Sequence, residues 1–167
     1  KYIDNYLDLN KELKSLEKSN IFYIDTEFVS NHNTNTLCLI QISSGDEILL
    51  IDTIKLKAAK EIATLFEADD CTWVLHSGQS DISYLMKYFN LKDLPIIFDT
   101  QIAWGVLGPE YQISLSYLIY RLLDMRIEKN YQRIDWTHRP LENSHLEYAA
   151  GDVEFLPDLY TILQDKL

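Results

Sequence analysis

A change of hydrophobic rhythm near residue 53 does most to limit the folds open to this chain. Before it lie three short apolar runs, residues 21–25, 36–43 and 47–52, each too short for a helix and bounded by polar turn chemistry such as residues 30–35. Ser44-Gly45-Asp46 joins the second run to the third and is a hairpin signal. The three runs therefore predict an antiparallel meander. After residue 53, apolar runs at 71–76 and 96–99 alternate with helical patterns. Leu56, Ala59, Ile62, Ala63 and Phe66 share one face of residues 55–67. Ile82, Leu85, Met86 and Phe89 do so over 80–89, and helical spacing fills most of 100–123. A meander followed by strand–helix alternation predicts an α/β fold, a mixed sheet with helices on its faces. Residues 8–19 add an N-terminal surface helix through Leu9, Leu13 and Leu16. With no repeat, low-complexity tract or linker, residues 1–167 read as a single domain.

The last helix carries its own punctuation. Ser144-His145-Leu146-Glu147 reads as a capping box, with Leu146, Ala149, Ala150 and Val153 continuing the period. Pro157 should kink or disturb it, and Gly151 sits inside it at about 1 kcal/mol relative to Ala.

Charge narrows the function. Fifteen Lys and Arg against 26 Asp and Glu give a formal net charge of −11. That excludes a basic protein coating a phosphate backbone by charge alone, and a polybasic membrane anchor. No apolar run approaches the ~20 residues of a membrane span, and the first residues lack the apolar core of a signal peptide. Cys38 and Cys71 each lie alone in an apolar stretch, with neither disulfide nor zinc spacing. They predict buried, reduced thiols and a cytoplasmic protein.

The chemistry lies in the acids. Asp25 and Glu27 stand two apart at the end of a strand, so both point to one face. Like charges that close repel, and a divalent cation relieves them; hard ions such as Mg²⁺ prefer oxygen ligands. Asp81 follows a Ser77-Gly78 turn at the top of a helix, and Asp152 sits mid-helix four residues after Tyr148, on the same face. Each acid also has an ordinary reading: a turn residue, a solvated carboxylate, a helix-dipole acid. Together, four acids and a tyrosine suit a two-metal phosphoryl-transfer site, in which the tyrosine hydroxyl orients or deprotonates a water.

These residues resemble a known pattern. Asp25-Thr26-Glu27-Phe28-Val29, His76 to Asp81, and Tyr148-Ala149-Ala150-Gly151-Asp152-Val153 are similar to the three motifs of the DEDDy 3′–5′ exonucleases, above all the catalytic domain of bacterial ribonuclease D. Asp99-Thr100-Gln101, Asp135-Trp136 and Arg139-Pro140-Leu141 are familiar from the same enzymes, and the match spans about residues 20–160. The resemblance implies an RNase H-like fold with a five-stranded mixed sheet flanked by helices. It implies two divalent cations, Mg²⁺ or Mn²⁺. Asp25 would bridge them, Glu27 and Asp152 would complete one site, and Asp81 would serve the second. Tyr148 would position the attacking water, and the product would be a nucleoside 5′-monophosphate. Gly151 departs from the alanine common in ribonuclease D, and close packing against the first strand would account for it. Ribonuclease D continues into helical HRDC domains; this chain is expected to be either a trimmed piece or a single-domain relative.

The resemblance also implies substrate contacts at Thr26, Phe28, His76, Tyr84, Lys129, Gln132 and Arg133. Phe28 either wedges against the terminal base or fills core. Tyr84 either stacks on a base or packs. His76 reads as a hydrogen-bonded structural histidine rather than a metal ligand, and Lys129 as a nucleotide contact or an ordinary exposed lysine. The expected partner is the 3′ end of single-stranded RNA, with DNA or very short oligonucleotides as the alternative and a non-catalytic nucleic-acid-binding domain behind them. Two bound cations would leave a net charge of about −7. Residues 121–139 carry a local excess of positive charge in Arg121, Arg126, Lys129, Arg133 and Arg139. They are predicted to line the strand path.

Overall fold

The computed structural model describes residues 1–31, 34–57, 59–127 and 134–167. The meander forms as β2 (Ile21–Asn31), β3 (Thr34–Ser43) and β4 (Ile48–Asp52), antiparallel throughout. The turn between β3 and β4 holds Gly45 at φ +109°, a conformation that favours glycine. β5 (Thr72–Leu75) adds parallel to β2, and β6 (Ile96–Asp99) adds parallel to β5.

The sheet has one strand more than expected. β1 (Tyr2–Ile3) pairs parallel with β4, so the described residues form six strands in the order β1-β4-β3-β2-β5-β6. Two residues carry no period for a sequence reading to find. Their place is fixed by the bond from Leu50 N–H to the Lys1 carbonyl (2.8 Å) and by complete burial of Ile3.

Helices cover both faces. α1 (Tyr6–Leu16), α2 (Ala59–Ala63) with a 3₁₀ turn at Thr64–Phe66, and α3 (Gln79–Phe89) share one core with Phe22, Ile24, Ile40, Ile42 and Trp73. Each such side chain, removed from water, contributes ~1.5–3 kcal/mol. Phe66 anchors that face, edge-on to Phe22 (5.3 Å) and to Trp73 (4.9 Å). α4 (Thr100–Leu107), α5 (Leu115–Leu123), α6 (Asn143–Glu154) and α7 (Leu156–Lys166) lie on the other face, where Tyr23 and Val74 meet Leu118, Val153 and Leu159.

Several boundaries differ from the sequence reading. The first helix starts and ends earlier, because the Asn5 side chain caps it by accepting from Asp8 N–H. The predicted helix at 55–67 shortens because Asp52 Oδ1 accepts from Ile54 and Lys55 N–H and holds that stretch in a turn. The capping box does not form: α6 begins at Asn143 behind Glu142, with no side-chain cap, so Ser144 falls inside the first turn. Pro157 does more than kink one helix. The chain breaks at Phe155 and restarts as α7 with the proline in its first turn, where its missing N–H is harmless.

Candidate metal and catalytic centre

Alternation along β2 decides the site. Phe22, Ile24 and Thr26 are buried together, so Asp25 and Glu27 face the opposite side, toward α6. α6 presents Tyr148 and Asp152 one turn apart. Carboxylate oxygens of Asp25, Glu27 and Asp152 all lie within 4.8 Å of one another.

Burial and mutual repulsion set the protonation of this cluster. Burial, then the charges of Asp152, Asp81 and Glu27, hold the Asp25 carboxyl well above the usual range. Burial, then Asp152 and Asp81, push Glu27 up to about 8. Burial raises the Tyr148 phenol as well, with Asp152, Glu27 and Asp25 adding to it, so its hydroxyl keeps its proton.

Asp81 enters from the other face. Its carboxylate, buried at the start of α3, accepts a hydrogen bond from Thr26 Oγ1. It stands outside the tight group of three, yet its charge acts on both Asp25 and Glu27. The Thr26 hydroxyl is thereby committed to Asp81.

The turn that launches α3 is tightly held. Ser77 adopts φ +56°, and the N–H groups of Ser77 (3.0 Å) and Gly78 (2.9 Å) donate to Asp99. A Cβ on Gly78 would lie 2.7 Å from Leu75 Cβ, so only glycine fits. His76 is structural at both ring nitrogens. Nε2 lies 3.0 Å from the Ile113 carbonyl, which can only accept, so Nε2 carries the proton. Nδ1 lies 2.9 Å from Thr100 Oγ1, whose hydroxyl donates to the Leu75 carbonyl at 3.1 Å.

Around the acids opens a cleft of about 410 Å³, bordered also by Ser77, Gln101, Gln112, Ser114 and Tyr148. A second cavity of about 590 Å³, between α5 and α6, shares Leu115, Tyr148 and Asp152 with it. Gly151 lines that second cavity, and a Cβ there would meet nothing within 4 Å. Close packing against the first strand therefore does not explain it.

A family model described as 3′–5′ exonuclease matches residues 1–167. The chain belongs to that family. Ribonuclease D of Zymomonas mobilis is 34% identical over 155 residues, which are 91% of this chain and 40% of that protein. Among solved structures, Escherichia coli RNase D aligns with a TM-score of 0.91 at 26% identity, over 99% of this chain and 44% of the other. Brucella melitensis NrnC bound to pGG aligns at 0.79 and 31% identity, over 90% and 74%. Its form with bound Mg²⁺ aligns at 0.74 and 28%, over 90% and 75%. The chain thus spans less than half the length of its ribonuclease D relatives.

For a 3′–5′ exonuclease the donor set is apt. Three converging carboxylates, of which Asp25 and Glu27 are raised by burial and then by their acidic neighbours, offer the oxygen ligands that a hard divalent cation prefers. Phe28 and Tyr84 pack on each other with ring centroids 4.4 Å apart, half-buried beside the site. Lys129, Gln132 and Arg133 lie outside the described residues. Two of the cations expected along the strand path turn elsewhere. Arg139 binds Asp52 through Nε (2.6 Å) and Nη2 (2.9 Å), and Arg121 binds Glu110 (2.8 Å). Arg126 lies over the Tyr120 ring and borders the second cavity.

The sequence reading missed Gln41, Asp99 as a fastener, and Gln112. Gln41 is wholly buried on β3 opposite Asp25, its Nε2 3.5 Å from Glu27 Oε1. An amide amid the apolar residues 37–42 was the visible signal.

Proposed function

We propose that residues 1–167 act as a single metal-dependent 3′–5′ exonuclease domain that shortens single-stranded RNA and releases nucleoside 5′-monophosphates. The observation that carries this reading is the convergence of Asp25, Glu27 and Asp152 beneath Tyr148, in a chain of the exonuclease family. Ribonuclease D relatives support RNA as the substrate, and NrnC with pGG supports very short oligonucleotides as a second substrate class.

Asp25, Glu27 and Asp152 would hold one divalent cation, and Asp25 with Asp81 would serve a second; Mg²⁺ and Mn²⁺ both suit these oxygens. When bound, such cations supply Lewis-acid stabilisation of the attacking and leaving oxygens. The chain itself supplies placement. Thr26 fixes the Asp81 carboxylate by hydrogen bonding. Tyr148, kept neutral by burial and then by the surrounding acids, orients the attacking water through its hydroxyl rather than deprotonating it. Phe28 and Tyr84 offer an aromatic surface for a base. Among the described residues no helix is long and apolar enough to cross a membrane, and Cys38 and Cys71 are free and buried. Both support a cytoplasmic setting.

The test uses 5′-labelled RNA and DNA oligomers with Mg²⁺, Mn²⁺ or EDTA. A ladder of shortened products that requires metal is expected, and Asp25→Asn should abolish it while the protein stays folded. Absence of cleavage with either metal would overturn the reading.

A further inference from the structure

Four non-glycine residues among those described hold a positive φ: Ser77, Asn90, Gln112 and Asp124. Asn90 and Asp124 end α3 and α5 as left-handed caps whose N–H groups donate back to the helix. Both are residue types that tolerate that role. Ser77 and Gln112 cap no helix, and both border the catalytic cleft. Backbone in this region persists only where its surroundings over-determine it.

For Ser77 the reason is local, since its turn aims α3 and is fastened by Asp99. For Gln112 the fastening lies on the following residues. The Ile113 carbonyl receives Gln101 Nε2 at 2.7 Å and His76 Nε2 at 3.0 Å. Ser114 then caps α5 by accepting from Tyr117 N–H at 3.3 Å. Two side chains and a helix start therefore hold the backbone beside Gln112 in an unfavourable conformation. The Gln112 amide itself is exposed and makes no hydrogen bond among the described residues.

A strained backbone that keeps an exposed, unpartnered amide at the border of a reaction cleft is arranged for a ligand. This step rests on the exonuclease reading. With the scissile phosphate at the acids, the group joined to it in the same cleft is the terminal sugar. A primary amide both donates and accepts, and so does a ribose hydroxyl. We infer that Gln112 contacts the 2′-hydroxyl of the 3′-terminal nucleotide and gives the domain a preference for RNA ends. His76 and Gln101 are then positioning residues, acting through the Ile113 carbonyl.

The experiment compares two 5′-labelled RNA oligomers that differ only in a ribose or 2′-deoxyribose at the last nucleotide, with Mg²⁺ or Mn²⁺ present. The readout is the first-turnover rate on each. The wild type should remove the ribonucleotide about 3- to 10-fold faster, the span of one net hydrogen bond. Gln112→Gly removes the amide while accepting the positive φ, and should bring the ratio near one. Both rates come from one preparation, so any unfolded fraction cancels from the ratio. A glycine variant that keeps the wild-type ratio, or a wild type that treats both ends alike, overturns the inference and leaves the exonuclease reading standing. A wild type that shortens neither oligomer overturns both.

Discussion

Asp99 Oδ2 accepts the Gly78 N–H at 2.9 Å, across 21 residues of chain. Its Oδ1 accepts from Ser77 N–H (3.0 Å) and caps α4 through Gln101 N–H (2.8 Å). One carboxylate at the end of β6 therefore fixes the turn from which α3 projects Asp81. Asp99→Ala should lose about 1–3 kcal/mol in urea unfolding, because a cap and two turn N–H groups lose their acceptor together. It should also lower kcat more than it raises KM, through displacement of Asp81. Asp99→Asn tests the geometry: one amide oxygen can accept, but its NH₂ cannot accept from the turn. That variant should fall between the two. A kcat unchanged in both variants would separate Asp99 from the site.

Two glycines should respond in opposite directions. Gly78→Ala drives a Cβ to 2.7 Å from Leu75 Cβ and 2.8 Å from its Cδ2. Both atoms belong to a buried side chain, so the turn must shift, and about 1–3 kcal/mol of stability should go with it. Gly151→Ala adds a Cβ that meets nothing, within α6. It should stabilise by about 0.5–1 kcal/mol, the helix-interior difference between the two residues. Denaturant midpoints read both.

Asp52 is wholly buried, and Arg139 binds it through two nitrogens. The same guanidinium donates to the Cys38 carbonyl at 2.9 Å, and Cys38 is the extra residue of a bulge opposite Glu27 and Phe28. Tyr2 OH donates to Asp52 as well, which ties β1 into the network. Arg139→Leu leaves that buried carboxylate without its cation and should cost about 3–5 kcal/mol. Leu in place of Arg139 together with Asp52→Asn should recover part of the loss, a coupling that a double-mutant cycle measures.

Where chemistry depended on local spacing, it could be read from the sequence. The i, i+2 relation of Asp25 and Glu27 and the i, i+4 relation of Tyr148 and Asp152 fix their faces without any knowledge of the fold. The meander and the later strands were legible for the same reason. What escaped depends on distant partners. Arg139 meets Asp52 across 87 residues, and a surface role was the local reading of an arginine in a basic stretch. Gln112 borders the cleft because loop and sheet end meet there, which no period records. β1 is too short to have a period. The apparent capping box failed because its hydroxyl falls two positions past the cap residue Glu142, inside the first turn.

The acid cluster gives stability a pH dependence of defined sign. Burial, then Asp152 and Asp81, push Glu27 up to about 8, and Asp25 and Asp81 are raised too, burial again coming first. In the unfolded chain carboxyls titrate near ~4. Between those values the metal-free native state holds protons that the unfolded state has released. The stabilisation linked to them is complete below ~4 and is lost as pH rises through the folded value. Metal-free protein in EDTA should therefore show a Tm that falls from about pH 5 to about pH 8. Asp52 does not mask this. Burial alone would raise it, but Arg139 and Tyr2 hold it below its ordinary value, so its contribution changes only at lower pH. Mg²⁺ or Mn²⁺ competes with the cluster's protons, so the Tm gain on adding metal should grow across the same window. Asp25→Asn removes one of the repelling charges, so it should flatten the EDTA curve and shrink the metal-induced gain together. A metal-free Tm that rises through this range would show that the acids are ionised and apart rather than gathered.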